Sequence, residues 1–261
     1  MKKSVFTLIL ITLACLALVS CASASSAKSE AAPVTEATVT SLEELVVAAK
    51  TVAANGTITL ANDVTWNSVY TGSAPLEVRF SKKGITFDLG GHTIEGVATG
   101  ALRFFGDFTI QNGKITGLGD SYVLLINSVN STSGIDYAEA TRENHKVNVN
   151  NLTLVEGGIR AELSTIKIND CDVQNSGQSG NSNCLYFVGC WATVTGGKLN
   201  QTAETVDTIS RTNCVYCSGT STIQLSGIVL EGTKRLNAYK NTVAYKVTDC
   251  GDYVTTTPEV V

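Results

Sequence analysis

The chain has 261 residues with 43% hydrophobic content, 23 glycines and a formal net charge of −4. No stretch is rich in lysine or arginine, which removes the electrostatic footprint of a nucleic-acid binder. Gly, Asn, Thr, Val and Ile are frequent while proline occurs three times, a composition suited to short strands separated by tight turns.

Met1-Lys2-Lys3 precedes an apolar run from Val5 to Val19. A charged start followed by a short apolar segment reads as a signal peptide over residues 1–20, too short and too near the start for a membrane span. Residues 22–40, ASASSAKSEAAPVTEATVT, are small and polar with no apolar period and read, with Cys21, as a flexible tether over 21–40. The domain proper is expected over 41–261, enough chain for one sizeable core.

Ser41 with Glu44 three residues later has the form of a helix capping box. Leu42, Leu45, Val46 and Ala49 form one apolar helical face, and Asn55-Gly56 stops it. TITL then opens the first strand.

Six stretches further on share one pattern: FDLGGHTIEG (87–96), TIQNGKITG (109–117), VNVNNLTLVEG (147–157), IKINDCDVQN (166–175), ATVTGGKLNQ (192–201) and IQLSGIVLEG (223–232). Each holds two apolar anchors five residues apart: Leu89/Ile94, Ile110/Ile115, Val149/Leu154, Ile168/Val173, Val194/Leu199 and Leu225/Leu230. Two positions after the first anchor stand Gly91, Asn112, Asn151, Asp170, Gly196 and Gly227. Only Gly, Asn and Asp occur there, the residues that tolerate left-handed torsions at a sharp bend. Successive first anchors lie 21, 39, 19, 26 and 31 residues apart, a solenoid-like period with variable loops. Such units bury their apolar side only by stacking, so an end cap is needed, and the 41–56 segment supplies one.

Two resemblances follow from these residues. Leu18-Val19-Ser20-Cys21, just after the apolar run, resembles the lipobox of bacterial lipoproteins, which implies lipidation of Cys21 and attachment to a membrane; ordinary cleavage near Ala22-Ser23-Ala24 is the alternative. The helical segment, GTITLANDVTW and GITFDLGGHTIEG together resemble the first coils of the right-handed parallel β-helix, or pectin-lyase-like, superfamily. The expected fold is therefore all-β: a right-handed parallel β-helix solenoid with an N-terminal capping helix. The resemblance is uninformative about activity, because one scaffold hosts lyases, hydrolases, adhesins and non-enzymes.

His92 occupies the slot held by Leu or Cys in other repeats, so the bend does not require an imidazole, and no partner for a general base is indicated. Hydrolases of the superfamily carry clustered aspartates, and hydrolysis needs two carboxylates at a set separation; here Asp170 and Asp172 flank Cys171 within a turn. Lyases of the superfamily use calcium-binding carboxylates and a basic residue, for which Asp170, Asp172, Glu162 and Arg160, with Glu156 nearby, are the nearest candidates. Calcium is the cofactor that this alternative would need; otherwise no cofactor, metal or catalytic residue is assigned.

ALRFF (101–105), GIRAEL (158–163), NCLYFVG (183–189), NCVYCSG (213–219) and NTVAYKV (241–247) read as equivalent strands. Alternation sends Leu102/Phe104, Ile159/Ala161, Leu185/Phe187 and Val215/Cys217 inward and leaves Arg103, Arg160, Tyr186, Tyr216 and Tyr245 outward. That outward set is either a sugar-stacking strip or a ladder that only stabilises the sheet.

Six cysteines belong to the domain: Cys171, Cys184, Cys190, Cys214, Cys217 and Cys250. Cys184 and Cys214 share one position on adjacent coils, within reach of a disulfide because stacked strands lie about 4.8 Å apart. Alternation puts Cys214 outside and Cys217 inside, which speaks against their acting together as a C-x-x-C motif; Cys184, Cys190, Cys214 and Cys217 as a zinc set is a further alternative. The polar insertion at 127–146, with His145, is either a binding loop or a plain excursion. The leading expectation is a lipoprotein of the bacterial cell envelope that binds polysaccharide or another surface ligand without catalysis. The alternatives are a polysaccharide lyase acting on acidic glycans and a purely structural envelope protein.

Overall fold

A computed structural model describes residues 32–66, 77–119, 122–127, 145–177, 182–202, 212–238 and 243–255. Cys21, the signal segment and most of the 127–146 insertion lie outside them.

Among the described residues every strand pairing is parallel, and the strands form one sheet of 14 and one of eight. The larger sheet folds along a line of bends, so a single turn of chain crosses three faces. One turn runs Thr165–Asn169 on face 1, Asp172–Asn175 on face 2 and Leu185–Val188 on face 3. The next runs Trp191–Thr195, Lys198–Gln201 and Val215–Ser218, and the one after it Ser221–Ser226, Val229–Gly232 and Arg235–Ala238. Each strand pairs in register with its equivalents above and below. The molecule is a parallel β-helix solenoid.

The bends carry this geometry. Gly91, Asn112, Asn151, Asp170, Gly196 and Gly227 all have left-handed torsions, with φ of 84, 60, 50, 50, 65 and 62°. Their side chains tie neighbouring turns where they can: Asn151 Nδ2 donates to Asn112 Oδ1 at 3.3 Å, and Asn112 Nδ2 to Asp88 Oδ2 at 3.0 Å. At Gly197 a Cβ would collide with the carbonyl oxygen of Cys171 on the rung below, and φ is 72°. Asp249, with φ of 54°, makes a seventh bend in the sequence Val247-Thr248-Asp249-Cys250, which parallels Ile168-Asn169-Asp170-Cys171.

All twelve anchors are buried, none more than 5% exposed. Five of the six pairs stack in register. The first differs: Phe87, not Leu89, lies opposite Ile110, while Ile94 faces Ile115 as expected. The Gly90-Gly91 bend is two residues longer, and Leu89 fills the corner with no exposure. Along the interior, Phe80 stacks on Phe104 at 4.4 Å and Phe104 on Phe108 at 4.5 Å. Fully burying such a side chain contributes roughly 1.5–3 kcal/mol.

The helix spans Leu42–Thr51 and buries Leu42, Leu45, Ala48 and Ala49. It packs on strands Glu36–Val39, Thr57–Leu60 and Val78–Phe80, which include the first strand of each sheet. Ser41 Oγ accepts from Glu44 N as a capping box requires, but the Glu44 carboxylate reaches one residue further back, to Thr40 N at 2.7 Å and Thr40 Oγ1 at 2.8 Å. Residues 36–39, expected in the tether, instead pair with Thr57–Leu60 and bury Val39. The alternation Ala37/Val39 against Glu36/Thr38 is the signal for that strand.

Candidate functional site

Four of the five outward residues expected on face 3 do fall into one column. Register runs Arg79, Arg103, Leu125, Arg160, Tyr186, Tyr216 and Asn237, one residue per rung. Their inward neighbours Leu102, Phe104, Ile159, Ala161, Leu185, Phe187, Val215 and Cys217 are fully buried.

Tyr245 is not in the column. Its strand, Val243–Thr248, pairs with Ser221–Ser226 in the other sheet and places Tyr245 opposite the buried Ile223. Its side chain therefore points inward, 3% exposed, with the hydroxyl donating to Asn237 O at 2.8 Å and lying 2.9 Å from Cys217 Sγ. Burial pushes its phenol well above the ordinary range. The segment belongs to face 1, where alternation has the opposite phase from that expected.

The remaining column is occupied with itself. Tyr186 is half-buried and Tyr216 is 9% exposed, their rings 5.0 Å apart. The Arg160 guanidinium lies 5.0 Å from the Tyr186 ring centre and pairs with Glu162 at 2.6 Å. Glu77 bridges Arg79 at 2.8 Å and Arg103 at 3.2 Å. Behind Tyr186 the ring of Tyr122 packs at 5.8 Å, its hydroxyl accepting from Asn183 Nδ2 at 2.9 Å. Burial raises the Tyr122 phenol pKa. These contacts are those of a cross-strand ladder.

The carboxylates raised as lyase candidates are not brought together. Asp170 sits at the bend between faces 1 and 2, Asp172 begins the face-2 strand, and Glu162 with Arg160 lies on face 3. Glu156 accepts from Ser176 Oγ at another corner. Calcium needs oxygen ligands converging on one point, and these residues do not fit that requirement. Among the described residues no three of His, Cys, Asp and Glu group as a metal site. His92, in the first bend, has Nδ1 3.3 Å from Asp63 Oδ1, and Asp63 also accepts from Thr93 N at 2.9 Å. The Thr93 N–H is the main reason that Asp63 titrates below the usual carboxylate range.

All six cysteines of the domain are buried free thiols. Cys184 and Cys214 are direct vertical neighbours: Cys184 N donates to Asn213 O and Leu185 N to Cys214 O, each at 3.0 Å. Cys214 is not outside as alternation suggests. It precedes its strand, and the corner turns its sulfur to within 3.5 Å of Leu199 O and Glu231 O. Cys217 lies against Tyr245, and Cys190 Sγ is 3.3 Å from Ala161 O, so the four cysteines do not share one point.

Face 1 holds what alternation over the sequence WATVT left unread. Trp191 is 42% exposed, the most exposed aromatic side chain among the described residues. One outward column runs Lys146, Thr165, Trp191 and Thr222; the next runs Asn148, Lys167, Thr193, Gln224 and Lys246. A concavity of about 310 Å³ opens between Thr165, Lys167, Trp191, Thr193, Thr222 and Gln224. Three successive rungs thus present an indole, hydroxyls, an amide and an ammonium around one depression. Among family models, curated proteins and solved structures, none matches the chain.

Proposed function

We propose that this chain is an exported, lipid-anchored β-helix protein that binds carbohydrate without transforming it, and that the binding surface is face 1 around Trp191. The observation that carries the reading is the Trp191 concavity. An amphipathic aromatic ring suits stacking on the apolar face of a sugar, while Thr165, Thr193, Thr222 and Gln224 surround it with hydroxyl and amide partners. Rungs recur at about 4.8 Å, close to the length of one pyranose residue, so successive sugars would meet equivalent rows of side chains.

The signal segment and the lipobox-like Leu18-Val19-Ser20-Cys21 support attachment to a membrane of the bacterial envelope through Cys21. The β-helix architecture and the GITFDLGGHTIEG coil support kinship with the pectin-lyase-like superfamily, with helix Leu42–Thr51 as the end cap. The Arg160, Tyr186 and Tyr216 column is assigned to holding the sheet, since its charges and rings already satisfy one another.

The test is retention on a panel of neutral and uronate polysaccharides, using the full chain with and without calcium. Trp191→Ala abolishes retention and Tyr186→Ala leaves it within about twofold. Retention unchanged by Trp191→Ala overturns the site; no retention on any glycan overturns the function. Release of unsaturated sugars from a uronate polymer would replace binding with lyase activity.

A further inference from the structure

The stacked solenoid gives each cysteine a definite neighbour above and below. Cys171 lies between Leu152 and Gly197, Cys250 next to Ile228, Cys217 between Phe187 and Ala238, and Cys190 between Ser164 and Ser221. Only Cys184 and Cys214, among the described residues, stack on another cysteine. Parallel neighbours at about 4.8 Å fall inside the Cα separation that a disulfide tolerates. Both side chains point into the same corner, beneath the ends of the face-2 strands, and both residues are fully buried.

The geometry points to a covalent modification site: we infer that Cys184 and Cys214 become a disulfide that staples two successive rungs at the entrance to face 3. The thiols are already paired electrostatically. The Cys184 thiol donates toward Cys214 and holds the Cys214 pKa below that of an ordinary thiol, while burial raises that of Cys184.

The reaction needs an external disulfide as oxidant. One of the two cysteines, as its thiolate, attacks one of the oxidant's sulfurs, the S–S bond breaks, and the first thiolate leaves and takes up a proton. The other cysteine, losing its proton, then attacks the mixed disulfide at its partner's sulfur and expels the second thiolate. Two cysteine thiols have given up two protons and two electrons, and two external thiols carry them. Because neither residue has solvent exposure in the folded chain, the exchange takes place during folding, before the corner closes. Once formed, the bond is shielded from reductants by the same burial. An adjacent buried column reinforces the corner: Asn213 Nδ2 and N both donate to Asn183 Oδ1, at 2.8 and 3.1 Å.

The experiment refolds the full chain from denaturant with oxidised glutathione, then alkylates free thiols in urea and maps the peptides. The expected result is a single link joining the peptides of Cys184 and Cys214, loss of two alkylatable thiols, and resistance of the native link to dithiothreitol until the chain is unfolded. The oxidised protein melts about 5–10 °C above the reduced one. Cys184→Ser and Cys214→Ser each abolish the link. Should either variant fail to fold, the wild-type peptide map alone decides the matter. Alkylation of all the domain's cysteines, or a link through Cys171, Cys190, Cys217 or Cys250, overturns the inference.

Discussion

Faces 1 and 3 have the same backbone: short parallel strands, one residue per rung in each column, and aliphatic side chains turned inward. Their outer surfaces differ in what the residues do with their neighbours. On face 3 the charges are paired, Arg103 with Glu77 and Arg160 with Glu162, and Tyr186 rests on Tyr216 and Arg160. On face 1 the columns bring together Thr, Gln, Asn and Lys with an indole that stays 42% exposed. Complementary residues stacked on one another cover each other within the sheet; unlike polar residues stacked around one aromatic leave that ring exposed. An exposed column of aromatic and basic residues in the sequence is therefore not sufficient for a binding surface. Its vertical neighbours decide.

That contrast can be broken from the inside. Phe104→Ala removes the middle ring of the Phe80–Phe104–Phe108 stack, at a cost of about 3–5 kcal/mol. Because both faces share this core, urea transitions in a Trp66→Phe background, followed by Trp191 fluorescence and by near-ultraviolet tyrosine dichroism, shift together. Separate transitions would show that the faces are held independently. A smaller effect sharpens the comparison. Tyr186→Ala costs about 1–2 kcal/mol through lost ring and cation contacts, whereas Trp191→Ala changes the unfolding free energy from the same urea transitions by less than about 0.5 kcal/mol. Equal costs would mean that the indole also serves the sheet.

The smallest expected effect lies outside both faces, at the helix start. Hydrogen bonds from the Thr40 backbone and hydroxyl hold the Glu44 carboxyl pKa below the ordinary glutamate value. A depressed folded pKa means that the contribution is present above the unfolded value and is lost as pH falls through the folded one. Melting temperature followed from pH 6 down to pH 3 therefore declines less steeply in Glu44→Gln than in wild type. Parallel curves would remove Glu44 from the capping role.

The bends were the most legible feature because left-handed torsions restrict composition: Gly, Asn and Asp stood out at one slot regardless of loop length. The Gly90-Gly91 turn misled by two residues since Leu89 and Phe87 are equally apolar, and only pairing to Ile110 distinguishes them. For Tyr245 a period of two fixes alternation but not phase, and the bend that sets the phase, at Asp249, follows the strand. Cys214 escaped for a related reason: it lies in a corner, where strand alternation has not begun. Trp191 was visible as an outward residue of WATVT, but its companions Lys167 and Gln224 are 24 residues before and 33 after it, and register alone brings them together.

The line of left-handed residues between faces 1 and 2 also separates two kinds of change during evolution. From the second bend to the sixth the chain advances along it by a fixed step, so each turn resets the frame for the next, whatever happened at the other corners. Insertions there, which already make repeats as short as 19 and as long as 39 residues, need not disturb the vertical columns on either side. The molecule can thus acquire new surface features by lengthening an excursion, or grow by whole turns, while a single hinge line preserves the fit of everything stacked upon it.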